Sequence, residues 1–189
     1  MSWRFRRLRV RPPWEPPLRG DGIDLVIDPG QAFGTGAHHT TRLCLELLLA
    51  CACRLSAREP PGALADWGCG SGVLAIAAAK LGWDPVLACD WDEASVEATR
   101  ANAIVNAVPG IAVARTDLRR AEGPWAPTVV ANLTPGLHRD VGARLERAPE
   151  RLIAAGFLAR HADDVAGLYA PLREVARREE GEWAAVVLA

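Results

Sequence analysis

The stretch that most constrains how this chain can fold is a glycine-rich turn at residues 66–72, Asp-Trp-Gly-Cys-Gly-Ser-Gly. Leu64 and Ala65 before it have the character of a buried strand. Residues 73–81 after it are rich in helix formers and contain no helix breaker. A strand that passes through glycines into a helix brings the backbone close to a ligand and presents the free N–H groups of the first helical turn. The sequence therefore predicts a nucleotide-binding turn.

The spacing of the glycines narrows the choice of ligand. The turn reads Gly-x-Gly-x-Gly behind an acid, whereas dinucleotide enzymes use Gly-x-Gly-x-x-Gly. A leading carboxylate disfavours a pyrophosphate but suits a cationic ligand, such as the sulfonium and amino group of S-adenosylmethionine (AdoMet). We therefore assign Asp66, Gly68, Gly70 and Gly72 to an AdoMet site.

The composition is that of a globular protein. The 189 residues are 50% apolar and carry a formal net charge of −1, which is typical neither of disordered chains nor of strongly basic nucleic-acid-binding proteins. The five cysteines include no Cys-x-x-Cys pair, which favours reduced thiols in the cytoplasm. No apolar run reaches the roughly 18 residues of a membrane span.

Polar residues stand at the ends of two predicted buried strands. The strand at 86–90 ends at Asp90, 18 residues past Gly72, where a carboxylate can accept hydrogen bonds from both ribose hydroxyls. The strand at 128–133 carries Asn132 near its end. Because the carboxyl ends of parallel strands open on one edge of a doubly wound sheet, we expect the turn, Asp90 and Asn132 to share a site.

Two further acids have alternative interpretations. Asp92 fits the N-cap of the following helix better than Asp90 does. Asp117 follows a strand at 111–115 and serves either as an adenine contact or as a plain turn residue. The remaining predicted elements are strands at 3–11, 23–27 and 151–155, helices at 42–54, 93–106, 135–147 and 161–171, and a hairpin of 172–179 and 182–188 turning at Gly181.

The loop before the first helix is a second candidate for function. It places Phe33 and Thr35 among glycines, just before a threonine-capped helix start. A plain connector explains the glycines and the cap, but an exposed phenylalanine between glycine-rich flanks favours a functional loop. His38 and His39 have no third ligand nearby, so no metal site is predicted.

The order of elements and the glycine turn resemble the class I AdoMet-dependent methyltransferases and, more narrowly, the PrmA family. The resemblance implies a doubly wound, Rossmann-like, seven-stranded and mainly parallel sheet with a C-terminal antiparallel hairpin. We accordingly divide the chain into a basic strand with a proline-rich linker at 1–20 and a methyltransferase domain at 21–189. The matching stretches are Asp-Pro-Gly-x-Ala-Phe-Gly-Thr-Gly-x-His-x-Thr-Thr at 28–41, the turn itself, Ala-Asn-Leu at 131–133, Gly-Glu-Trp at 181–183 and the linker-like Arg-Pro-Pro-Trp at 11–14.

The resemblance implies an N-methyltransferase that modifies lysine ε-amino or N-terminal α-amino groups of large-subunit ribosomal protein eleven, with AdoMet as cofactor. It also implies that the turn around Gly68 holds the methionine part, Asp90 the ribose, and Thr41 the cofactor from the helix start. Asn132 and the Phe33–Thr35 loop would line the methyl-transfer site.

Other functions remain open. A lysine methyltransferase of another protein would share this core. Nucleic-acid or glutamine N-methyltransferases typically carry Asn-Pro-Pro-Tyr where this chain has Asn-Leu-Thr-Pro at 132–135. The glycine spacing disfavours a dinucleotide oxidoreductase, and the intact motifs disfavour a non-catalytic AdoMet-binding partner.

Substrate recognition is expected to differ from that of PrmA enzymes, which carry an N-terminal recognition domain ahead of the linker-like segment. Arginines near the start of the sequence are expected to steer the chain toward an acidic surface or ribosomal RNA. The plainer explanation is the solvated face of an edge strand. These arginines are Arg4, Arg6, Arg7, Arg9, Arg11 and Arg19.

Overall fold

The computed structural model describes residues 8–17, 20, 22–28, 38–54 and 60–189. In these ranges the chain alternates between strands and helices, as the sequence predicts. In chain order the elements are β1 (Leu8–Arg11), β2 (Ile23–Val26), α1 (His39–Arg54), β3 (Leu64–Trp67), α2 (Val73–Leu81), β4 (Val86–Asp90), α3 (Glu93–Val105), β5 (Ala112–Arg115), β6 (Thr128–Asn132), α4 (Pro135–Gly142), β7 (Arg151–Leu158), a 3-10 turn (Ala159–His161), α5 (Ala162–Gly167), β8 (Glu174–Glu180) and β9 (Trp183–Leu188).

Seven strands form one sheet in the order β5-β4-β3-β6-β7-β9-β8. The first five strands in this order, β5, β4, β3, β6 and β7, are parallel to one another. Strand β9 runs antiparallel to both β7 and β8. From β3 the chain first builds outward through β4 and β5 and then returns to build β6 and β7 on the other side. The carboxyl ends of β3 and β6 therefore flank a switch point, which is where ligands bind in such sheets. This topology confirms the predicted fold class.

The core lies on both faces of the sheet. Successive residues of a strand point to opposite faces, so Leu64 of β3 packs with α1 and α2, while Ala65 and Trp67 pack on the opposite side with α4 and α5. All four residues of β3 are buried. Burial on both faces explains why the central strands are predicted from continuous apolar runs rather than from alternation. None of the helices in the described ranges is long and apolar enough to cross a membrane.

Most of the predicted elements are confirmed, and several have the predicted bounds. Helix α2 and strand β4 begin and end where the sequence places them. Asp92 caps α3 as predicted, since its carboxylate accepts a hydrogen bond from the backbone N–H of Ala94 at 3.3 Å. The hairpin of β8 and β9 turns at Gly181, which has a φ of 60°. Of the predicted strand at 3–11, residues 8–11 are confirmed, and 3–7 lie outside the described residues.

Several predicted boundaries are wrong, and for α4 and β7 the structure shows a tertiary contact at the end of the element. Helix α1 begins at His39 rather than near residue 42. Helix α4 ends at Gly142 rather than at residue 147; a Cβ at Gly142 would lie 2.8 Å from the carbonyl oxygen of Leu168, so the helix end abuts the chain after α5. The helix predicted at 161–171 is a 3-10 turn followed by the short α5. Strand β7 extends beyond residue 155 to Leu158, because it keeps pairing with β9 across a bulge.

Strands β1 and β2 form a separate two-stranded parallel sheet. Asn106, at the end of α3, attaches this sheet to the main domain. Its Oδ1 accepts a hydrogen bond from the backbone N–H of Val26 at 2.9 Å, and its Nδ2 donates to the Val26 carbonyl at 2.7 Å and to the Asn102 carbonyl at 2.8 Å. The Asn106 amide thus pairs with the backbone N–H and C=O of Val26 in β2, as the backbone of a neighbouring strand would.

Replacing Asn106 by alanine should lower the free energy of unfolding by about 2–3 kcal/mol, because the variant loses three hydrogen bonds of a buried side chain, two of them half-buried at Val26. Urea unfolding monitored by tryptophan fluorescence measures the change. Val105→Ala is the matched control on the same helix; Val105 is 58% exposed, so its loss should cost less than about 0.5 kcal/mol. Equal effects of the two substitutions would show that Asn106 does not anchor β2.

Candidate active site

A cavity of about 750 Å³ opens at the carboxyl ends of β3, β4 and β6. Asp66 and Gly72 are not among the described residues that line it, and Phe33 and Thr35 lie outside the described residues. Most of the other residues that the sequence assigns to a shared site do line this cavity. The predicted site residues that line the cavity are Thr41, Gly68, Gly70, Asp90, Asp117 and Asn132.

The glycine turn requires glycine for two different reasons. Gly68, Gly70 and Gly72 have φ values of 76°, 53° and 81°, a region that residues with a Cβ rarely adopt. Gly72 also packs against α3, since a Cβ there would lie 2.8 Å from Cγ2 of Thr99. The hydroxyl of Thr99 donates to the Gly70 carbonyl at 2.9 Å. The first two glycines thus expose backbone to the cavity, and the third brings the turn close to a helix.

Asp90 links the glycine turn to the loop after β4. Its Oδ2 accepts a hydrogen bond from the N–H of Gly70 at 2.9 Å, and its Oδ1 accepts one from the N–H of Asp92 at 3.0 Å. The side chain is 8% exposed and lines the cavity. Because each carboxylate oxygen has further acceptor capacity, Asp90 is pre-oriented to receive the hydroxyls of a ligand.

Asp66 lies beneath the turn rather than on the cavity wall. Strand β3 continues through Asp66, which is 1% exposed, and its Oδ2 accepts a hydrogen bond from the N–H of Ala75 in the first turn of α2 at 3.0 Å. Its Oδ1 has no hydrogen-bond partner among the described residues. Burial raises the pKa of Asp66 to about 7, although the bond from Ala75 acts in the opposite direction. The side chain joins strand to helix; its predicted contact with a cofactor stays a prediction.

The raised pKa of Asp66 predicts a pH-dependent effect on stability. Because the carboxyl ionises near pH 4 when unfolded and near pH 7 when folded, rising pH destabilises the protein within this window. Asp66→Asn keeps an oxygen for the Ala75 N–H but cannot ionise. The stability of the variant relative to the parent should increase by about 1.4 kcal/mol per pH unit inside the window and level off on either side. Thermal unfolding of ligand-free protein across pH 4–8 measures this difference, and a pH-independent difference would contradict the buried charge.

An aromatic residue that the sequence analysis missed lines one end of the cavity. Trp91 is 57% exposed, and the Arg119 guanidinium lies 5.2 Å from its ring centroid. Nε of Arg119 also donates to Oδ1 of Asp117 at 2.8 Å, and this hydrogen bond holds the pKa of Asp117 below its ordinary value. An aromatic residue directly after a strand-end acid was the available signal. This end offers a flat apolar surface beside a carboxylate, which suits a heteroaromatic base.

The opposite side of the cavity brings Asn132 and Thr41 together. Nδ2 of Asn132 donates a long hydrogen bond of 3.4 Å to Oγ1 of Thr41, which lies in the first turn of α1. Thr134 follows and caps α4, accepting from the N–H of Leu137 at 3.4 Å. The amide of Asn132 therefore lies on the cavity wall next to the start of α1 and two residues before the N-cap of α4.

The C-terminal hairpin fixes the start of α1, a contact the sequence did not reveal. The ring of His38 packs edge-on against Trp183 with centroids 4.7 Å apart. Glu180 accepts hydrogen bonds from Nη2 and Nε of Arg42 at 2.7 and 3.1 Å. These contacts assign His38 to packing. Within the described ranges, no three His, Cys, Asp or Glu side chains are grouped to hold a metal ion.

The strand order, the acid-led glycine turn and the shared cavity of Asp90 and Asn132 define a class I methyltransferase domain. A family model described as "Ribosomal protein L11 methyltransferase (PrmA)" matches residues 4–189, and the chain belongs to this family.

Individual proteins support the assignment. A ribosomal protein L11 methyltransferase from Cupriavidus pinatubonensis is 41% identical over 183 residues, covering 93% of this chain and 58% of the relative. One from Thermoanaerobacter pseudethanolicus is 34% identical over 187 residues, covering 96% and 59%. The chain thus spans about three fifths of the length of these curated relatives. The crystal structure of a ribosomal protein L11 methylase from Lactobacillus delbrueckii subsp. bulgaricus superposes with a TM-score of 0.82 at 29% identity, covering 98% of this chain and 95% of that one.

Proposed function

We propose that this chain is the methyl-transferring domain of an AdoMet-dependent protein N-methyltransferase, and that its substrate amines are lysine ε-amino or N-terminal α-amino groups of ribosomal protein L11. The observation that carries the proposal is the single cavity shared by the glycine turn, Asp90 and Asn132 in a member of the PrmA family. The names of its relatives support L11 as the substrate. A cytoplasmic location belongs to the same proposal and rests on the cysteine pattern.

The charge of the cavity fits AdoMet better than a pyrophosphate cofactor. Among the described residues, four acids line it, Asp90, Asp92, Asp117 and Asp140, against one base, Arg119. When bound, AdoMet supplies a methyl group on a sulfonium cation, and an acid-rich wall stabilises a cation. Asp90 would accept the ribose hydroxyls, the turn from Gly68 to Gly70 would receive the methionine part, and Trp91 with Asp117 would hold the adenine.

The main task of the protein residues in this reaction is to position the substrate amine against the methyl group. A lysine has a pKa of about 10.4 in water and must lose a proton before it can attack. Desolvation next to a cation lowers that pKa. The side-chain oxygen of Asn132 would accept a hydrogen bond from the neutral amine and direct its lone pair at the methyl group, and Thr41 would hold the Asn132 amide in place. Among the described lining residues no histidine or lysine serves as a base, so the proton would leave to water.

Support for an RNA contact through the N-terminal arginines is limited to charge. Arg9 pairs with Glu15 and Arg11 with Asp24, each at 2.7 Å, so both already have acidic partners. The other four arginines lie outside the described residues. Contact with ribosomal RNA therefore stays a prediction.

The methyl transfer can be tested with purified L11 and labelled AdoMet. We expect label in L11 but not in L11 whose amines have been chemically acetylated. Asn132→Ala should lower kcat at least about tenfold, because the amine loses an orienting acceptor, while the AdoMet dissociation constant changes less than about twofold. Normal turnover with lost stability would instead make Asn132 a structural residue, and unlabelled L11 would refute the substrate.

The cofactor can be tested separately by calorimetry with AdoMet and with NAD. We expect AdoMet to bind and NAD not to bind. Asp90→Ala should weaken binding at least tenfold, because two hydrogen bonds to a carboxylate are lost, each contributing about 1.5–3 kcal/mol. Asp164→Ala, which removes an exposed carboxylate on α5 outside this cavity, should leave the affinity unchanged. Unchanged affinity in Asp90→Ala would place the ribose elsewhere, and a melting curve separates lost affinity from lost fold.

A further inference from the structure

A buried histidine–tyrosine pair lies behind the Asn132 side of the cavity and has no role in the function proposed so far. His138 of α4 is 0% exposed and Tyr169, just after α5, is 1% exposed. Nδ1 of His138 lies 2.7 Å from the Tyr169 hydroxyl, and its Nε2 lies 2.9 Å from the carbonyl oxygen of Ala155 in β7. Both ring nitrogens therefore have partners in the protein interior.

The two partners determine which nitrogen carries the proton. A carbonyl oxygen can only accept, so Nε2 of His138 must donate to Ala155; in a neutral ring Nδ1 then carries no proton and accepts from the hydroxyl of Tyr169. This assignment requires a neutral ring. Burial lowers the pKa of His138 to about 4, so the ring is neutral at physiological pH.

The carbonyl of Ala155 also receives a second hydrogen bond, from the N–H of Leu133 at 2.9 Å. Leu133 follows Asn132 directly and lines the cavity. Its side chain packs on the glycine turn, where a Cβ at Gly68 would lie 2.5 Å from its Cδ2. One carbonyl oxygen thus holds both His138 and the residue next to Asn132.

The backbone of Leu133 is confined from the β7 side as well. Gly156 has a φ of 97° at the bulge where the pairing of β7 with β9 shifts. A Cβ at Gly156 would lie 2.2 Å from the carbonyl oxygen of Leu133. The segment after Asn132 therefore runs in close contact with β7.

The side chain of His138 connects α4 to β7 next to Asn132. Asn132 and Ala155 are register partners in the parallel pair of β6 and β7, so the ring of His138 reaches back to the strand position beside Asn132. The backbone N–H of His138 also bonds to the Thr134 carbonyl at 3.0 Å in the first turn of α4. The side chain of His138 thus bonds to β7 beside Asn132, while its backbone N–H completes the first turn of α4.

We propose that His138 is a positioning residue for methyl transfer: through the Ala155 carbonyl it holds Leu133, and thereby sets the placement of the Asn132 amide. The inference rests on the proposed function of Asn132. A purely structural role for His138 would depend equally on its bonds to Tyr169 and to Ala155. A positioning role depends on the bond to Ala155 alone.

Two amide substitutions separate these roles. In His138→Gln the side-chain N–H can replace Nε2 and donate to the Ala155 carbonyl. In His138→Asn the amide is too short to reach Ala155, but its oxygen can replace Nδ1 and accept from the Tyr169 hydroxyl. Each variant loses one buried hydrogen bond, so we expect similar losses of stability. We expect kcat on L11 to fall about tenfold in His138→Asn and less than about threefold in His138→Gln, with the AdoMet dissociation constant within about threefold in both.

Tyr169→Phe provides a third variant, because it removes the other partner and leaves the bond from His138 to Ala155 in place. It should lower the melting temperature while keeping kcat within about threefold of the parent. Equal kcat in both His138 variants, or a tenfold loss in Tyr169→Phe in folded protein, would overturn the positioning role. Tyr169→Phe keeps the test decisive even if a His138 variant fails to fold.

Hydrogen exchange at the Leu133 amide gives a readout that needs no methylation. In ligand-free protein we expect this amide to exchange at least about tenfold faster in His138→Asn than in His138→Gln. If the parent fails to methylate L11 but this difference appears, the proposed function fails while the link from His138 to Leu133 stands. If the parent methylates L11 and exchange is the same in both variants, the link itself is refuted.

Discussion

The carboxylate of Asp90 is the interaction on which the site depends. It accepts hydrogen bonds from the N–H groups of Gly70 and Asp92, and so joins the glycine turn after β3 to the loop after β4. A carboxylate only 8% exposed needs such donors, because a buried charge without partners is costly. The same bonds that make the buried charge tolerable also aim its remaining lone pairs into the cavity. Fold and ligand site are therefore stabilised by one group.

The other half of the site is organised by neutral groups. The Ala155 carbonyl accepts from Leu133 and from a neutral His138, and both bonds lie just behind Asn132. In the proposed reaction the attacking amine must itself be uncharged, and a neutral network beside Asn132 would suit it. The acids of the cavity, including Asp90, would meanwhile stabilise the cofactor's positive charge. The sheet thus carries Asp90 on one side of its switch point and Asn132, backed by neutral hydrogen bonds, on the other.

Local chemistry determined much of this arrangement, and the sequence revealed those parts. The turn at 66–72 was predictable because positive φ values strongly favour glycine. The helix after it was predictable from propensity, and Asp92 from the preference of Asp for the N-cap. The place of Asp90 and Asn132 on the cavity wall was predictable because a polar residue that ends an apolar strand lies at the edge of a parallel sheet where ligands bind. Each of these signals lies within a few residues of the feature it predicts.

Only the tertiary structure decided the rest, because those features depend on residues far apart in the chain. Asp66 carries the same local signal as the cavity-lining Asp90, yet β3 extends through Asp66 and buries it under α2. Helix α4 stops where Gly142 meets Leu168, although its sequence would continue. No spacing rule joins His138 to Tyr169 and Ala155, since helix packing across the sheet creates those contacts. Local conformation is encoded by neighbours in sequence, whereas burial, helix ends and the partner of a buried polar atom are set by the packing of the whole domain.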